Sequence, residues 1–329
     1  MQDAVREFDL FLDLEPPTDT MESDVWDGLS QTQPCLPSKY FYDARGSELF
    51  DAICELPEYY PTRTERRILE DMVPELNALL TEPTILLEYG SGSSTKTQLL
   101  LNHLDALTAY VPIDISRDHL LATGFSLAER FPSIRVLPVC ADYGQRIPFD
   151  WRAPELADAV GAKRMVFFPG STIGNFTLPV AMNFLHRMRE LVDEGGHVLI
   201  GVDLVKDSAV LETAYNDADG ITAAFNRNML HHINRRIGSN FRPEAFEHQA
   251  IWDSAENRIE MRLIATETMS ISLPQGSVSI PKGRFIRTEY SHKYHLDGFT
   301  RLANQSGFVV DNVWTDANTW FSVQLLTAV

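Results

Sequence analysis

The sequence predicts an α/β fold in which a mostly parallel sheet, wound by helices, ends in an antiparallel hairpin and carries a smaller α+β portion. Three observations predict it. Between Ile85 and about Lys206, apolar runs of strand length alternate with helical patterns, which implies a parallel sheet wound by right-handed crossovers. The first of these runs, ILLEYGSGSSTKTQLLL, passes from strand through a glycine turn into a helix. At the C terminus, FVVDNVWTD and WFSVQLLTAV can form an antiparallel pair.

Composition narrows the class of function. A chain of 329 residues can bury a sizeable core, and 44% hydrophobic with 22% charged residues is globular usage. A net charge of -18 argues against a nucleic-acid backbone as partner, because phosphate binding needs surplus Lys and Arg. Cys35, Cys54 and Cys140 lie far apart without a CxxC pair, so they read as reduced and structural. The start, MQDAVREFDLFLDLEPP, lacks the basic beginning and unbroken apolar core of a signal peptide, and no run of eighteen apolar residues occurs. A small-molecule substrate in the cytoplasm is the expectation, with no membrane and no nucleic acid, the protein acting as a monomer.

In chain order, an acidic, proline-punctuated leader to about Lys39 holds a short strand or arm at FDLFLDLEP and a capped helix near SDVWDGLSQ. An aromatic stretch follows, with helices predicted from Ser47 to Leu56 and from Thr64, as N-cap, to about Leu79. Most of its aromatics are readable as core, but a buried tyrosine needs a hydrogen-bond partner. The glycine turn comes next. Gly90 and Gly92 tolerate positive φ and let a ligand approach the backbone; the same turn can be purely structural, and Thr95 stands where a GxGxxG fingerprint wants its third glycine.

A second strand ends at Asp114, twenty-four positions after Gly90, where an acidic residue about 20 residues past the turn commonly holds ribose hydroxyls. A helix begins near Ser116. SIRVLPVCADYGQ gives a third strand ending near Asp142, KRMVFFPGSTIGNF a fourth, and GHVLIGVDLVKD a fifth after the helix LPVAMNFLHRMRELV. From about Lys206 to Lys293 the pattern changes to helices interrupted at Gly220, a hairpin around Asp253 to Asn257 and the strand RFIRTEYSHKYHL. LDGFTRLANQSG is a helix closed by Gly307. A parallel sheet finished by a hairpin separates the class I methyltransferase architecture from a plain dinucleotide-binding fold. His231 and His232, neighbours rather than i and i+4, do not suggest a metal site, and no metal is implied.

The strings FYDARGSELFDAICELPEYYPTRTERRIL, LLEYGSGSSTKT, FFPGSTIGNF, GVDLVKD, FNRNML, RIEMRL and RTEYSHKY together resemble the S-adenosylmethionine-dependent histidine Nα-methyltransferases of ergothioneine biosynthesis. The resemblance runs from about residue 39 to 293. It implies S-adenosyl-L-methionine as cofactor, bound at Glu88, Tyr89, Gly90, Ser91, Gly92, Lys96, Asp114, Asp142 and Tyr143. Asp142 would accept from the adenine amino group; Lys96 reads equally as a solvated helix lysine. It further implies that Tyr42, Tyr59 and Asn175 work at the reacting amine and carboxylate, with Phe50, Gly170, Tyr215, Met261, Glu289 and Ser291 around the amino acid. Glu289 and Ser291, two apart in a strand, share a face and can together bind an imidazole.

Two portions follow from this reading: 70–205 with 294–329 for the cofactor, and 1–69 with 206–293 for the substrate. The expected reaction is trimethylation of the α-amino group of histidine to hercynine. The rivals are methylation of another amino acid, such as tryptophan or a histidine derivative, a nicotinamide-dependent oxidoreductase, and a silent cofactor-binding module.

Overall fold

The computed structural model describes residues 11–14, 20–90, 95–149 and 161–329. Strand β1 (Leu12–Asp13) and helix α1 (Met21–Leu29) lead into α2 (Ala44–Glu55) and α3 (Tyr60–Leu79). The alternating part comprises β2 (Thr84–Tyr89), α4 (Thr95–His103), β3 (Leu107–Asp114), α5 (Arg117–Arg130), β4 (Arg135–Val136), β5 (Val139–Cys140), β6 (Lys163–Phe168), α6 (Leu178–Val192) and β7 (His197–Asp203). Then come α7 (Ser208–Tyr215), α8 (Ile221–Ile237), β8 (Phe246–Asp253), β9 (Arg258–Ala265), β10 (Met269–Leu273), β11 (Gly276–Ile280) and β12 (Phe285–His292). Helix α9 (Leu296–Gln305), β13 (Phe308–Thr315) and β14 (Phe321–Ala328) close the chain.

The central sheet has the order β1-β5-β3-β2-β6-β7-β14-β13, with β4 paired to β3. From β1 to β7 its pairings are parallel; β14 then pairs antiparallel with β7 and with β13. All six residues of β2 are buried, as expected for a central parallel strand covered on both faces. Two core clusters lie on the two faces of this sheet, one including Ile85, Leu87 and Phe184, the other Leu86, Leu69 and Leu76 of α3. A third core joins α1, α2, α7 and α8 to the separate sheet β12-β9-β8 and the hairpin β10-β11.

Several boundaries differ from the sequence reading for identifiable reasons. Helix α3 begins at Tyr60 rather than at Thr64, because Pro61, in its first turn, has no N–H to leave unpaired there and its φ is already helical. The third strand divides into β4 and β5 around Pro138, which cannot donate to the ladder. The arm at residues 8–16 is described only in part: Leu12–Asp13 adds a parallel edge strand beside β5, so this piece of the leader lies on the central sheet and not with the α+β portion. The β10–β11 hairpin went unseen.

Helix α8 runs between Gly220 and Gly238, both at positive φ, where glycine relieves the steric cost of a left-handed residue. Asp43 caps α2 by accepting from the Gly46 amide at 2.7 Å and also accepts from Asn228 of α8 at 2.7 Å, so one carboxylate ties the two helices.

The short turn Thr172–Asn175 after β6 lies against β12. A Cβ on Gly174 would come 2.7 Å from the His292 carbonyl oxygen, closer than atoms of this kind approach. Gly174→Ala is therefore expected to cost about 1–3 kcal/mol of stability, read from denaturant midpoints. A variant as stable as the parent would mean that this packing is loose.

Candidate functional site

The C-terminal ends of the parallel strands converge at one edge. In register, Tyr89 pairs with Ile113, Asp114 with Cys140 and Glu88 with Phe167, so Gly90, Asp114, Asp142 and Gly170 emerge side by side from β2, β3, β5 and β6. This edge, next to the reversal of strand order at β2, is where open α/β sheets bind ligands. Gly90 has φ of 72°, and its amide donates to the Ile113 carbonyl at 2.8 Å. The Tyr143 ring stands over it, 3.5 Å from where a Cβ would be. Tyr143 also stacks on Tyr89 with ring centroids 5.5 Å apart. Burial, with the charges of Asp114 and Asp142 adding, pushes the Tyr143 phenol up to about 12. Asp114 accepts from the Ser116 amide at 2.9 Å and Asp142 from the Gly144 amide at 2.8 Å, each fixing one oxygen of its carboxylate. Ser91 and Gly92 fall outside the described residues.

Two expected residues have protein partners here. Glu88 is buried and receives the Tyr110 hydroxyl; burial raises its pKa to about 7. Lys96 forms an ion pair with Glu65 of α3. Glu65, 1% exposed, also accepts the Gly170 amide on both oxygens, at 2.8 and 3.0 Å. The carboxylate reaches this position across β7 because residue 201 is glycine; a Cβ there would stand 1.9 Å from Glu65 Oε1. Glu65 was missed from sequence, lying among the ordinary surface charges of TRTERRILEDM.

An aromatic group, within electrostatic reach of Tyr143 at this edge, gathers side chains from the turn before α2, from α2, from the N-cap of α3, and from α7 and α8. Tyr42 meets Phe50 edge-on at 5.6 Å, Phe50 meets Tyr59 at 6.3 Å, and Tyr59 meets Tyr215 at 6.0 Å. Phe225 of α8, also unforeseen, packs on Tyr42 and Phe50 at 5.8 and 5.9 Å. Tyr42 stays 48% exposed, which puts it at an open mouth. Burial raises the pKa of the Tyr59 and Tyr215 phenols above the usual range, so both remain protonated donors at neutral pH.

Strand β12 brings Glu289 opposite Met261 of β9 and Ser291 opposite Ile259. Burial raises the Glu289 carboxyl to about 7, with the Lys293 charge opposing. Its charge also acts on Tyr42, Tyr59 and Tyr215, which places all four groups in one neighbourhood. Tyr215 and Ser291 are hydrogen-bonded through their hydroxyls at 2.8 Å. The turn bearing Gly170 and Asn175 is fastened to the same strand, His292 Nδ1 lying 2.9 Å from the Gly174 carbonyl oxygen.

Behind Ser291 lies a buried ionic group. Lys293 Nζ is 2.7 Å from Asp203 Oδ2, 2.8 Å from Ser291 Oγ and 3.1 Å from the Tyr215 oxygen. Asp203 ends β7 and its carboxylate also receives Lys206 and the Tyr60 hydroxyl at 2.8 Å to each oxygen, while its amide donates to the Ser171 hydroxyl oxygen at 2.9 Å. Burial alone would raise Asp203, but the ammonium groups of Lys293 and Lys206 outweigh it and hold it below the usual carboxylate range. Burial lowers Lys206 to about 8. Neither Lys293 nor Asp203 was singled out from sequence; a charged pair flanking the ends of two apolar strands was the available signal. Among the described residues no group of three or more His, Cys, Asp or Glu side chains is arranged to hold a metal ion.

The family described as "Histidine-specific methyltransferase, SAM-dependent" matches residues 21–328. The histidine N-alpha-methyltransferase of Mycolicibacterium smegmatis is 37% identical over 320 residues, covering 96% of this chain and 97% of that protein. The protein of the same description from Mycobacterium tuberculosis is 37% identical over 93% of this chain and 94% of its own length. Ergothioneine biosynthesis protein 1 of Neurospora crassa is 29% identical over 87% of this chain, which corresponds to 32% of that longer protein.

Proposed function

Because the chain belongs to the family of SAM-dependent, histidine-specific methyltransferases, we propose that it trimethylates the α-amino group of L-histidine to hercynine, the first step of ergothioneine biosynthesis. The observation that carries the reading is the turn after β6. It touches the strand-end edge through the Glu65 bond to Gly170 and touches β12, with Glu289 and Ser291, through Gly174. A cofactor at that edge and an amino acid on β12 would thus meet across one short turn.

The residues at the edge fit the cofactor. Gly90 presents backbone without a Cβ beside the Tyr143 ring, and Asp114 and Asp142 offer acceptors at adjacent strand ends. S-adenosylmethionine held by Gly90, Asp114, Asp142 and Tyr143, with Lys96 and the neighbouring turn, supplies an electrophilic methyl group. The chain's own task is then to orient the amine and exclude water, which dominates in an in-line displacement. The amine attacks as the neutral base. Tyr42 and Asn175 border it, Tyr59 and Tyr215 hold the carboxylate, and Glu289 with Ser291 receives the imidazole. The departing proton leaves by way of Tyr42, which stands at the mouth. Each methylated product is a cation, and Tyr42, Phe50 and Phe225 give it an aromatic wall.

The chain acts in this reading as a monomeric cytoplasmic enzyme on a small molecule, and a cofactor portion of 70–205 with 294–329 works against a substrate portion of 1–69 with 206–293, apart from Leu12–Asp13, which pairs with β5. The net charge of -18 supports the absence of nucleic acid, and among the described residues no helix is long and apolar enough to cross a membrane. Incubation of the purified protein with histidine and S-adenosylmethionine is expected to give a product heavier by three methyl groups in mass spectra. Histidine recovered without mass gain would sink the proposal.

A further inference from the structure

Asp203, Lys206 and Lys293 form a buried group with two ammonium ions and one carboxylate, all nearly inaccessible: the side chains of Lys293 and Asp203 are 1% exposed and that of Lys206 3%. Asp203 does not need both cations. Lys206 already pairs with it, and the Tyr60 hydroxyl binds its two oxygens. One carboxylate in contact with two ammonium groups leaves a positive surplus, which Glu289, whose charge also acts on Lys293, offsets without forming an ion pair with it, and a buried charge without a full counter-ion is costly unless something else compensates it.

An ammonium group has three N–H donors and no acceptor. Those of Lys293 have three partners within reach: Asp203, Ser291 and Tyr215. Both hydroxyl oxygens thus accept from Lys293. They are also 2.8 Å from each other, so one hydroxyl donates to the other. Two hydroxyl protons minus that one leaves a single O–H free. Whichever residue holds it, the pair keeps one donor for a further partner, backed by a positive charge. Such a group suits an anion. A neutral or cationic group would leave the surplus charge uncompensated.

We propose that Lys293 is a positioning residue that, acting through the Tyr215 hydroxyl, selects an amino substrate bearing an α-carboxylate. This rests on the reading that the chain methylates histidine. Glu289 deals with the other end of the substrate, so the two charges divide the recognition: Glu289 reads the ring, Lys293 the carboxylate.

The test compares histidine with histidinamide, in which the carboxylate becomes a neutral amide. The intrinsic reactivities of the two amines differ, but this difference cancels when the ratio of their kcat/KM values is compared between enzymes. Wild type is expected to favour histidine, and Lys293→Met to shrink that preference by roughly 10–100-fold, the scale of a lost hydrogen bond to a charged group. The loss should fall on histidine, mainly through KM, while S-adenosylmethionine binding measured by calorimetry stays as in wild type. Lys293→Met leaves Asp203 paired with Lys206 and so should fold. Should it not, Tyr215→Phe removes the relaying hydroxyl while keeping the ring, and the same shrinkage is expected. An unchanged ratio in a folded variant, even with lower activity, overturns the proposal and reduces Lys293 to a structural counter-ion. A wild-type protein that leaves histidine unmethylated overturns the functional reading and this inference with it.

Discussion

Glu289→Ala lowers kcat/KM for histidine by an expected 10²–10³-fold, on the order of what is lost when a site built to pair a polar group is left without its partner. Glu289 lies in β12 within electrostatic reach of Tyr42, Tyr59 and Tyr215, and burial holds its carboxyl near 7, so the site has already desolvated it for a partner. An imidazole N–H supplies that partner. Tryptophan, whose indole offers one donor on a larger ring, loses far less, so a substrate panel shifts toward it. A variant retaining wild-type kcat/KM on histidine removes Glu289 from recognition.

The same residue gives a stability signature. A carboxyl raised from 4.5 to about 7 in the folded protein binds its proton more tightly folded than unfolded. Its contribution is fully present below pH 4.5 and lost as pH rises through 7. Glu289→Gln, neutral throughout, is thus expected to be more stable than wild type at pH 8, by on the order of 3 kcal/mol, with the advantage gone below the unfolded pKa. Glu88 titrates in the same direction but is common to both proteins and cancels.

Asp203→Leu is the most destabilising change expected, at about 3–5 kcal/mol, because removing the carboxylate that contacts both Lys206 and Lys293 leaves two buried ammonium groups without their ion-pair partner. Thermal or denaturant unfolding measures it. Adding Lys206→Met to Asp203→Leu should recover part of the loss, since one of the two stranded charges disappears. No recovery would mean that the cost lies in packing around Tyr60 and not in charge.

The central strands β2, β3, β6 and β7 were legible because each carries a long apolar run between turn residues, and the C-terminal hairpin because its two strands are separated by polar residues around Asp316. Strand ends were legible too: Asp114 and Asp142 follow directly from where the apolar runs stop. Glu65 was not, because a buried carboxylate in a charged helix looks the same in sequence as a solvated one; only the missing side chain at Gly201 makes room for it. Lys293 and Asp203 are ninety residues apart, and their pairing depends on β7 and β12 ending at the same depth, which no local pattern encodes. Phe225 looked like any apolar residue on one face of a helix. The substrate residues Tyr42, Glu289 and Ser291 were reached through family resemblance rather than through spacing.

The Glu65 carboxylate, shared between Lys96 at the start of the helix after the glycine turn and the Gly170 amide of the turn that packs on β12, is one buried group in contact with both halves of the site. Linkage is reciprocal: any factor by which a ligand at one half changes affinity at the other must be returned unchanged in the opposite direction. A coupling between the sheet edge and the strand opposite would have this carboxylate in common, and its size would read the same from either ligand's binding.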